Sequence, residues 1–412
     1  MRGKSSIFFI LVSLLYLFCS NVIAEDKKGY TIDELISIAL EKNPSMAVFK
    51  ANLEASKADV VSARAYPNPE VEFQGVSGKS LETGESKGEY SVGISQPVER
   101  PAKRFFRRKE AEAGAGAIEK DVEDFRLQLR SEVKKAFYQI LLNKKAVETA
   151  KENLRIVEEL LKTVEVRVKA GETPEFELVK AHVERLRADK DFKRAENRVI
   201  VSMTTLNALL GNALKDDFDI AGTFELPEKR YELSILLSYA MERHPLILKT
   251  GKEAEAKYFS LEKEKASISP DITVSGFSGR ETDKESYGVS LSIPIPLWYQ
   301  RRGEIARAFA DKTRAEAEIY KIRVELSRAI TEEYQNYLIA LDQINVFEKG
   351  LLKQAEEALR IADLSYRLGE SNLLEFLDAQ RVNRSTLAEY YQSLFELETS
   401  IASLERTVGE LP

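Results

Sequence analysis

The apolar positions between residues 104 and 170 follow coiled-coil spacing almost without interruption. Steps of three and four residues alternate, as they do where one long helix packs along another. No proline interrupts the stretch, so at about 1.5 Å of rise per residue we predict one helix of roughly 100 Å. A helix this long must run beside other long helices. The seam from position 133 onward consists of Val133, Ala136, Ile140, Asn143, Val147, Ala150, Leu154, Val157, Leu161, Val164 and Val168.

Two other regions, about 69–97 and 270–295, alternate between apolar and polar positions instead. In the first region, Val71 and Phe73 on one arm and Ile94 on the other are flanked by polar residues or glycine. The second region repeats the pattern. A period of two on both arms predicts two β-hairpins, each with one apolar and one polar face.

These elements belong to a unit that occurs twice. Asn43-Pro44 matches His244-Pro245 at an offset of 201, and Gly171-Glu172 matches Gly369-Glu370 at an offset of 198. Each unit is predicted to contain short helices, a hairpin, a very long helix, a turn and another helix. The predicted division is a signal peptide at 1–24, a first repeat at 25–211, a linker at 212–231 and a second repeat at 232–409.

The N-terminus has the pattern of an export signal. Arg2 and Lys4 precede a short apolar run at 7–18, and Ala24 ends a suitable cleavage site. The alternative is a membrane anchor, but the run is too short for a transmembrane helix. Cys19 follows Leu-Phe rather than the small residue of a lipoprotein signal, so we expect cleavage after Ala24 without lipidation.

Composition narrows the functional classes. The chain has 412 residues, 31% of them charged, a net charge of -6 and no dominant basic tract, so we predict no nucleic-acid partner. After cleavage no cysteine remains, which excludes disulfides and thiolate metal sites. We find no nucleophile motif, phosphate loop or zinc spacing, and we predict neither an enzyme nor a cofactor or metal site. His244 is expected to cap a helix, and His182 has no assigned role.

The predicted strands are about ten residues long, the length of a transmembrane β-strand. The alternative is a sheet packed on the helices. If the strands span a membrane, four strands per chain cannot close a barrel, and an open edge leaves backbone groups unsatisfied in lipid. Several copies must then each donate four strands, and twelve from a trimer is a natural solution.

Three segments carry a resemblance to TolC-type outer-membrane efflux factors over essentially the whole mature chain. They are Tyr66-Pro67-Asn68-Pro69, Ser95-Gln96-Pro97 and the run from Tyr366 to Gln380, which reads YRLGESNLLEFLDAQ. The segment 292–305, with its IPIPLWYQRRGEI sequence, resembles the branch paired with heavy-metal exporters.

The resemblance implies a mainly α fold with a small β part. A trimeric α-helical barrel in the periplasm would join a shared twelve-stranded transmembrane β-barrel in the outer membrane. It also implies a passive exit duct that works with a periplasmic adaptor and an inner-membrane RND-type pump. The nearest alternatives are a duct for type I protein secretion and a non-channel periplasmic coiled-coil or adaptor protein.

The resemblance also suggests site residues. Gly171, Glu172, Gly369 and Glu370 would form periplasmic tips that meet the adaptor, although plain turn chemistry also explains them.

A periplasmic gate would involve Tyr366, Glu375 and Asp378, with Ser371 where an arginine joins the network in the archetypal member. Glu375 and Asp378 share a helix face, and three copies around one axis would favour cations. The alternative is a solvated face with Asp378 paired to Arg381.

Overall fold

The computed structural model describes residues 29–215, 217–227, 230–281 and 284–409. The predicted signal peptide, with Cys19 and the cleavage site, lies outside the described residues. Mainly helical structure with one small four-stranded sheet confirms the predicted fold class. In chain order the elements are α1 Ile32–Lys42, α2 Pro44–Arg64, β1 Glu70–Lys79, β2 Ser86–Val98, α3 Pro101–Lys169, α4 Glu175–Leu209, α5 Leu233–Arg243, α6 Pro245–Ala266, β3 Ile272–Arg280, β4 Glu285–Ser292, α7 Arg302–Val346, a π-helical turn Phe347–Leu351, α8 Leu352–Leu368 and α9 Leu373–Val408.

Local signals set the first helix boundaries. The Thr31 hydroxyl accepts a hydrogen bond from the Glu34 N–H at 3.4 Å, and the Glu34 carboxylate accepts one from the Thr31 N–H at 2.8 Å. This reciprocal pair is a capping box, whose sequence signature is a Thr followed three residues later by a Glu. Helix α1 ends before Asn43, whose backbone is extended because Pro44 follows it and disfavours the α conformation.

At the two matched Xaa-Pro positions, different side chains each form a hydrogen bond with a backbone carbonyl near the end of another helix. The Asn43 amide donates to the Leu209 carbonyl at 2.8 Å. His244 Nε2 lies 3.0 Å from the Arg406 carbonyl, and its Nδ1 accepts from the Leu246 N–H at 3.1 Å. The predicted capping role of His244 is therefore confirmed. Burial lowers the pKa of His244, so the buried ring is held neutral.

The four strands form one antiparallel sheet in the order β1-β2-β3-β4. Val71 pairs with Ile94, Ile94 with Gly276, and Gly276 with Val289, so these positions share one face. That surface, called the apolar face below, carries Val71, Phe73, Val92, Ile94, Val274, Tyr287, Val289 and Leu291. The opposite face carries mostly glutamate, serine, threonine and glycine, which gives the predicted alternation.

The long helices differ between the repeats. Helix α3 has 69 residues and begins at Pro101, three residues before the predicted start, because proline fits the first turn of a helix. In the second repeat, α7 ends at Val346 and a π-helical turn precedes α8. Gly350 lies in this turn at φ 146°, a conformation that favours glycine. We did not predict this interruption.

The described chain folds into two compact units, each assembled from three separate segments. One unit takes 29–43, 132–227 and 339–399, and Leu35, Ile140, Val164, Leu206 and Leu397 are fully buried in it. The other takes 44–131, 230–338 and 400–409 and contains the sheet. Its fully buried residues include Met46, Leu129, Leu236, Ile330 and Tyr337.

The described residues offer neither a membrane-spanning helix nor a clustered metal site. None of their helices is both long enough and apolar enough to cross a membrane. They also include no group of three or more His, Cys, Asp or Glu side chains placed to hold a metal ion.

Candidate functional site

The turn between α3 and α4, called the first turn, is built by Gly171. This residue has φ 76°, and its N–H donates to the Val168 carbonyl at 3.0 Å. The Glu172 N–H donates to the Arg167 carbonyl, also at 3.0 Å. This pair of bonds is a Schellman motif, which satisfies carbonyls at a helix end. The next helix begins at Glu175, with Pro174 as its N-cap.

The turn between α8 and α9, called the second turn, repeats the motif around Gly369 at φ 78°. The Gly369 N–H donates to the Tyr366 carbonyl at 3.1 Å, and the Glu370 N–H donates to the Ser365 carbonyl at 2.9 Å. A Cβ at Gly171 would meet nothing within 4 Å, and one at Gly369 would meet only the Arg167 guanidinium at 3.9 Å. Both glycines are therefore required by backbone conformation rather than by space.

A small hydrophobic cluster lies behind the second turn and includes residues from four helices. Tyr366 is its largest member; 2% of its surface is exposed, and its ring lies 6.0 Å from that of Phe376. The cluster consists of Leu160, Leu161, Val164, Ala181, Tyr366, Leu373 and Phe376. Because the cluster contains residues from both repeats, it fixes the helices that carry the two turns.

The hydroxyl of Tyr366 is buried without a hydrogen-bond partner in good geometry among the described residues. Burial raises the pKa of Tyr366, the charge of Glu177 raises it further, and Arg167 partly opposes this. The Arg167 guanidinium lies 4.9 Å from the Tyr366 ring centroid. Of the three residues predicted to take part in the gate, Tyr366 is buried within the chain against Phe376 and Arg167.

The two acids lie on the exposed side of α9. Glu375 is engaged at the start of the helix, where its N–H donates to the Asn372 side-chain oxygen and its carboxylate accepts from the Asn372 amide, both at 3.0 Å. Asp378 accepts from the Arg381 guanidinium at 2.6 Å. Both partners of that pair are mostly exposed, so the pair adds little stability and leaves the carboxylate accessible.

The corresponding face in the first repeat has a different charge pattern. Glu177 and Lys180 occupy the positions of Glu375 and Asp378, and the Lys180 amine lies 5.0 Å above the Phe176 ring. One acid therefore remains where the second repeat has two. The two turns share their backbone structure but differ in the electrostatics that follow them.

Arg167 is a site residue that sequence reasoning missed. Besides stacking on Tyr366, it donates to the Arg367 carbonyl at 2.9 Å, so it links α3 to the end of α8. These partners lie about 200 residues away in sequence, and no spacing pattern marks the contact. Only the excess of basic residues at the end of α3 could have drawn attention to it, because cations favour helix C-termini.

Exposed apolar residues continue the coiled-coil spacing along two helices next to the turns. On α4 they are Phe176, Val179, Val183 and Leu186, and on α8 they are Ile361, Leu364 and Leu368. Each series steps by three and four residues, as an unpaired helix seam does. These two series are called the α4 stripe and the α8 stripe below.

Comparison with known proteins relates the chain to one family. The model of the family described as outer membrane efflux protein matches residues 35–212 and 236–410. The cobalt-zinc-cadmium resistance protein CzcC of Cupriavidus metallidurans is 23% identical over 92% of this chain and 90% of its own length. The pyoverdine export outer membrane protein OpmQ of Pseudomonas putida is 24% identical over 85% of this chain and 79% of its own.

A solved membrane protein from Pseudomonas aeruginosa has the same fold. It superposes with a TM-score of 0.81 at 19% identity, covering 92% of this chain and 90% of the other.

Proposed function

Because the chain belongs to the outer membrane efflux protein family and is an outer-membrane efflux channel, we propose that it is the passive exit duct of a tripartite efflux system. The family consists of channel proteins rather than enzymes. In this proposal the chain carries out no catalytic step. An inner-membrane RND-type pump selects the substrate and supplies the energy, and a periplasmic adaptor joins the pump to the duct.

The observation that carries this proposal is the open sheet. Strands β1 and β4 are its edges, and one surface is apolar while the other is polar. Four strands cannot close, and an unpaired edge is not tolerated in lipid. We infer a homotrimer in which three chains contribute twelve strands, with Ile94 and Leu291 facing lipid. The α4 stripe and the α8 stripe support this, because exposed apolar seams of this kind are buried by neighbouring helices.

For the substrate we propose heavy-metal cations, with organic molecules as the second class. The first class rests on the similarity to a cobalt-zinc-cadmium resistance protein, and the second on the similarity to a pyoverdine export protein. Exposed Glu375 and Asp378 favour the first class, because three copies of each around one axis would attract cations.

We propose further that the two turns are the periplasmic tips and that the start of α9 is the gate. Gly171, Glu172, Gly369 and Glu370 would present a defined backbone surface to the adaptor. In the gate, Glu375 and Asp378 would line the entrance, and Tyr366 would act from behind them by fixing the helices. Crosslinkers at positions 172 and 370 should capture the adaptor; capture only from the loops at 80–85 and 281–284 would reverse the orientation.

A deletion strain tests the function directly. Loss of this gene should sensitise cells to cobalt, zinc or cadmium, and the purified protein in a planar bilayer should conduct ions without an energy source. A strain lacking the pump provides the matched control, because it should show the same sensitivity. A protein that forms no channel, or a deletion that changes sensitivity to neither metals nor organic toxins, would contradict the proposal.

A further inference from the structure

The apolar pattern of β4 continues beyond the end of the strand. Every second residue from Tyr287 to Tyr299 is apolar or aromatic, although the strand ends at Ser292. All of these side chains are exposed: Tyr287, Val289, Leu291, Ile293, Ile295, Leu297 and Tyr299. The series keeps the strand period in sequence past the end of the hydrogen-bonded ladder, and it leads from the apolar face toward α7.

The length of this series fits a membrane. Eight residue steps separate Tyr287 from Ile295, where the Leu297 N–H donates to the Ile295 carbonyl at 2.9 Å and the chain turns. At about 3.3 Å per residue and a strand tilt of about 40°, an extended chain of this length would span at most about 20 Å along the membrane normal, most of the apolar band of outer-membrane barrels. Aromatic residues stand at both ends, Tyr287 at one and Trp298 with Tyr299 at the other. Such aromatic girdles mark the two interfaces of a bilayer.

Side-chain hydrogen bonds stabilise the corner that follows the series. The Tyr299 hydroxyl donates to Glu304 at 2.6 Å and accepts from the Gly303 N–H at 3.1 Å. A Cβ at Gly303 would lie 2.7 Å from that hydroxyl, so a larger residue there would have to displace the Tyr299 side chain. Arg301 adopts φ 55° and donates to Glu264 at 2.5 Å. These contacts hold the start of α7 in place.

Trp298 lies next to this corner and is 92% exposed. A large aromatic side chain that is almost fully exposed indicates a surface that lipid or another molecule covers. Exposed Arg302 follows within four residues, suitably placed for lipid phosphate. In the first repeat, Tyr66 occupies the junction before the sheet, is 67% exposed and has the Arg104 guanidinium 3.7 Å from its ring centroid.

We propose that Trp298, with Leu297 and Tyr299, is an anchor that inserts into the phospholipid interface of the outer membrane on the side where the sheet joins the helices. This inference rests on the proposed function, because it requires the apolar face to contact lipid. A lipid phase explains the site better than a protein partner does. The series follows directly on the apolar face in sequence, and aromatic residues stand at its two ends, as they do at the two interfaces of a bilayer.

The chain contains only one tryptophan, so its native fluorescence reports on this site alone. The full-length assembly would be reconstituted into vesicles of phosphatidylcholine brominated either near the headgroup or near the chain end. Bromines near the headgroup should quench Trp298 about twofold or more better than those near the chain end, since tryptophan prefers the interface. Aqueous iodide should quench it only weakly.

A matched variant separates this inference from the proposed function. Trp298→Phe combined with Val289→Trp moves the reporter to the middle of the apolar face, where chain-end bromines should quench more strongly. If that variant behaves so while native Trp298 is quenched by iodide, or is shielded from both quenchers by protein, the anchor is wrong and the channel proposal stands. If neither tryptophan responds to brominated lipid, the apolar face does not meet the membrane and the proposed function fails as well.

Discussion

The two repeats agree at their turns and differ in the helices that lead into them. Helix α3 runs unbroken for 69 residues to the first turn, whereas the matching path to the second turn is interrupted by Phe347–Leu351. Both turns then close with the same Schellman hydrogen bonds. The acid pair Glu375 and Asp378 and the buried Tyr366 occur only after the interruption. The first repeat therefore has one continuous long helix. The second has the interrupted helix, the acid pair and the buried tyrosine on which the proposed gate is based.

The largest effect on the free energy of unfolding should come from removing the Tyr366 ring from the hydrophobic cluster behind the second turn. Tyr366→Ala should cost about 3–5 kcal/mol, since it removes a buried aromatic ring. Tyr366→Phe should cost less than about 1 kcal/mol, because the hydroxyl it removes has no hydrogen-bond partner in good geometry within the described part of the chain. Thermal unfolding of the detergent-solubilised protein, followed by circular dichroism, would measure both. A Phe variant as unstable as the Ala variant would show that the hydroxyl is bonded after all.

The helix interruption can be tested with two glycine substitutions that are expected to change the stability of the protein in opposite directions. Gly350→Ala should destabilise by about 1–2 kcal/mol, because alanine disfavours φ 146° even though the space for its Cβ is open. Gly114→Ala, inside unbroken α3 and equally open, should stabilise by about 0.5–1 kcal/mol. Apparent melting temperatures should therefore shift in opposite directions. A stabilising Gly350→Ala would mean that α7 and α8 form one regular helix in solution.

The matched caps Asn43 and His244 predict an asymmetric pH response. Burial lowers the pKa of His244, so the unfolded chain takes up a proton on this residue, near its ordinary value of 6.5, before the folded chain does. The stabilising contribution of the neutral ring is present above that value and is lost as the pH falls below it. The groups that act on the ring are Asp124 and Arg406.

Replacing the residue by its counterpart, His244→Asn, should remove this part of the pH dependence, because the asparagine side chain does not titrate. Melting temperatures of both proteins between about pH 5 and pH 7.5 would be compared. Parallel curves for the two proteins would show that His244 does not titrate with unfolding.

The smallest effect on stability, but a direct one on function, should come from the acid pair. Glu375→Gln with Asp378→Asn should lower cation selectivity and weaken block by multivalent cations in planar-bilayer recordings. The difference should shrink at high salt, where exposed charges are screened beyond about 10 Å at 0.1 M. The matched control is Glu177→Gln in the first repeat, which should change selectivity less. Unchanged selectivity at low salt would remove both acids from the constriction.

Local sequence signals were enough to predict much of the fold. The capping box at Thr31, the cap at His244, the left-handed Gly171 and Gly369 and the alternation along the strands each depend on neighbours within a few residues. The interruption at Gly350 was missed because a single glycine inside a helical pattern is not a specific signal.

The candidate site was harder to predict, because its geometry depends on contacts between distant segments. The resemblance suggested a gate role for Tyr366, but its burial depends on contacts with Arg167, Ala181 and Phe376, which come together only in the folded chain. The corner next to Trp298 likewise depends on a contact that spacing does not reveal, the hydrogen bond from the Gly303 N–H to the Tyr299 hydroxyl. The roles of the turns and the acids remain predictions.

The mass of the assembly in detergent tests the central claim most directly. Native mass spectrometry of the purified protein should give three times the mass of one mature chain, because only several copies can complete a sheet whose edges are β1 and β4. The assembly of the double variant Glu375→Gln with Asp378→Asn should also contain three chains, because the two substitutions affect only the proposed entrance. A stable monomer that still conducts ions in a bilayer would contradict the shared twelve-stranded architecture.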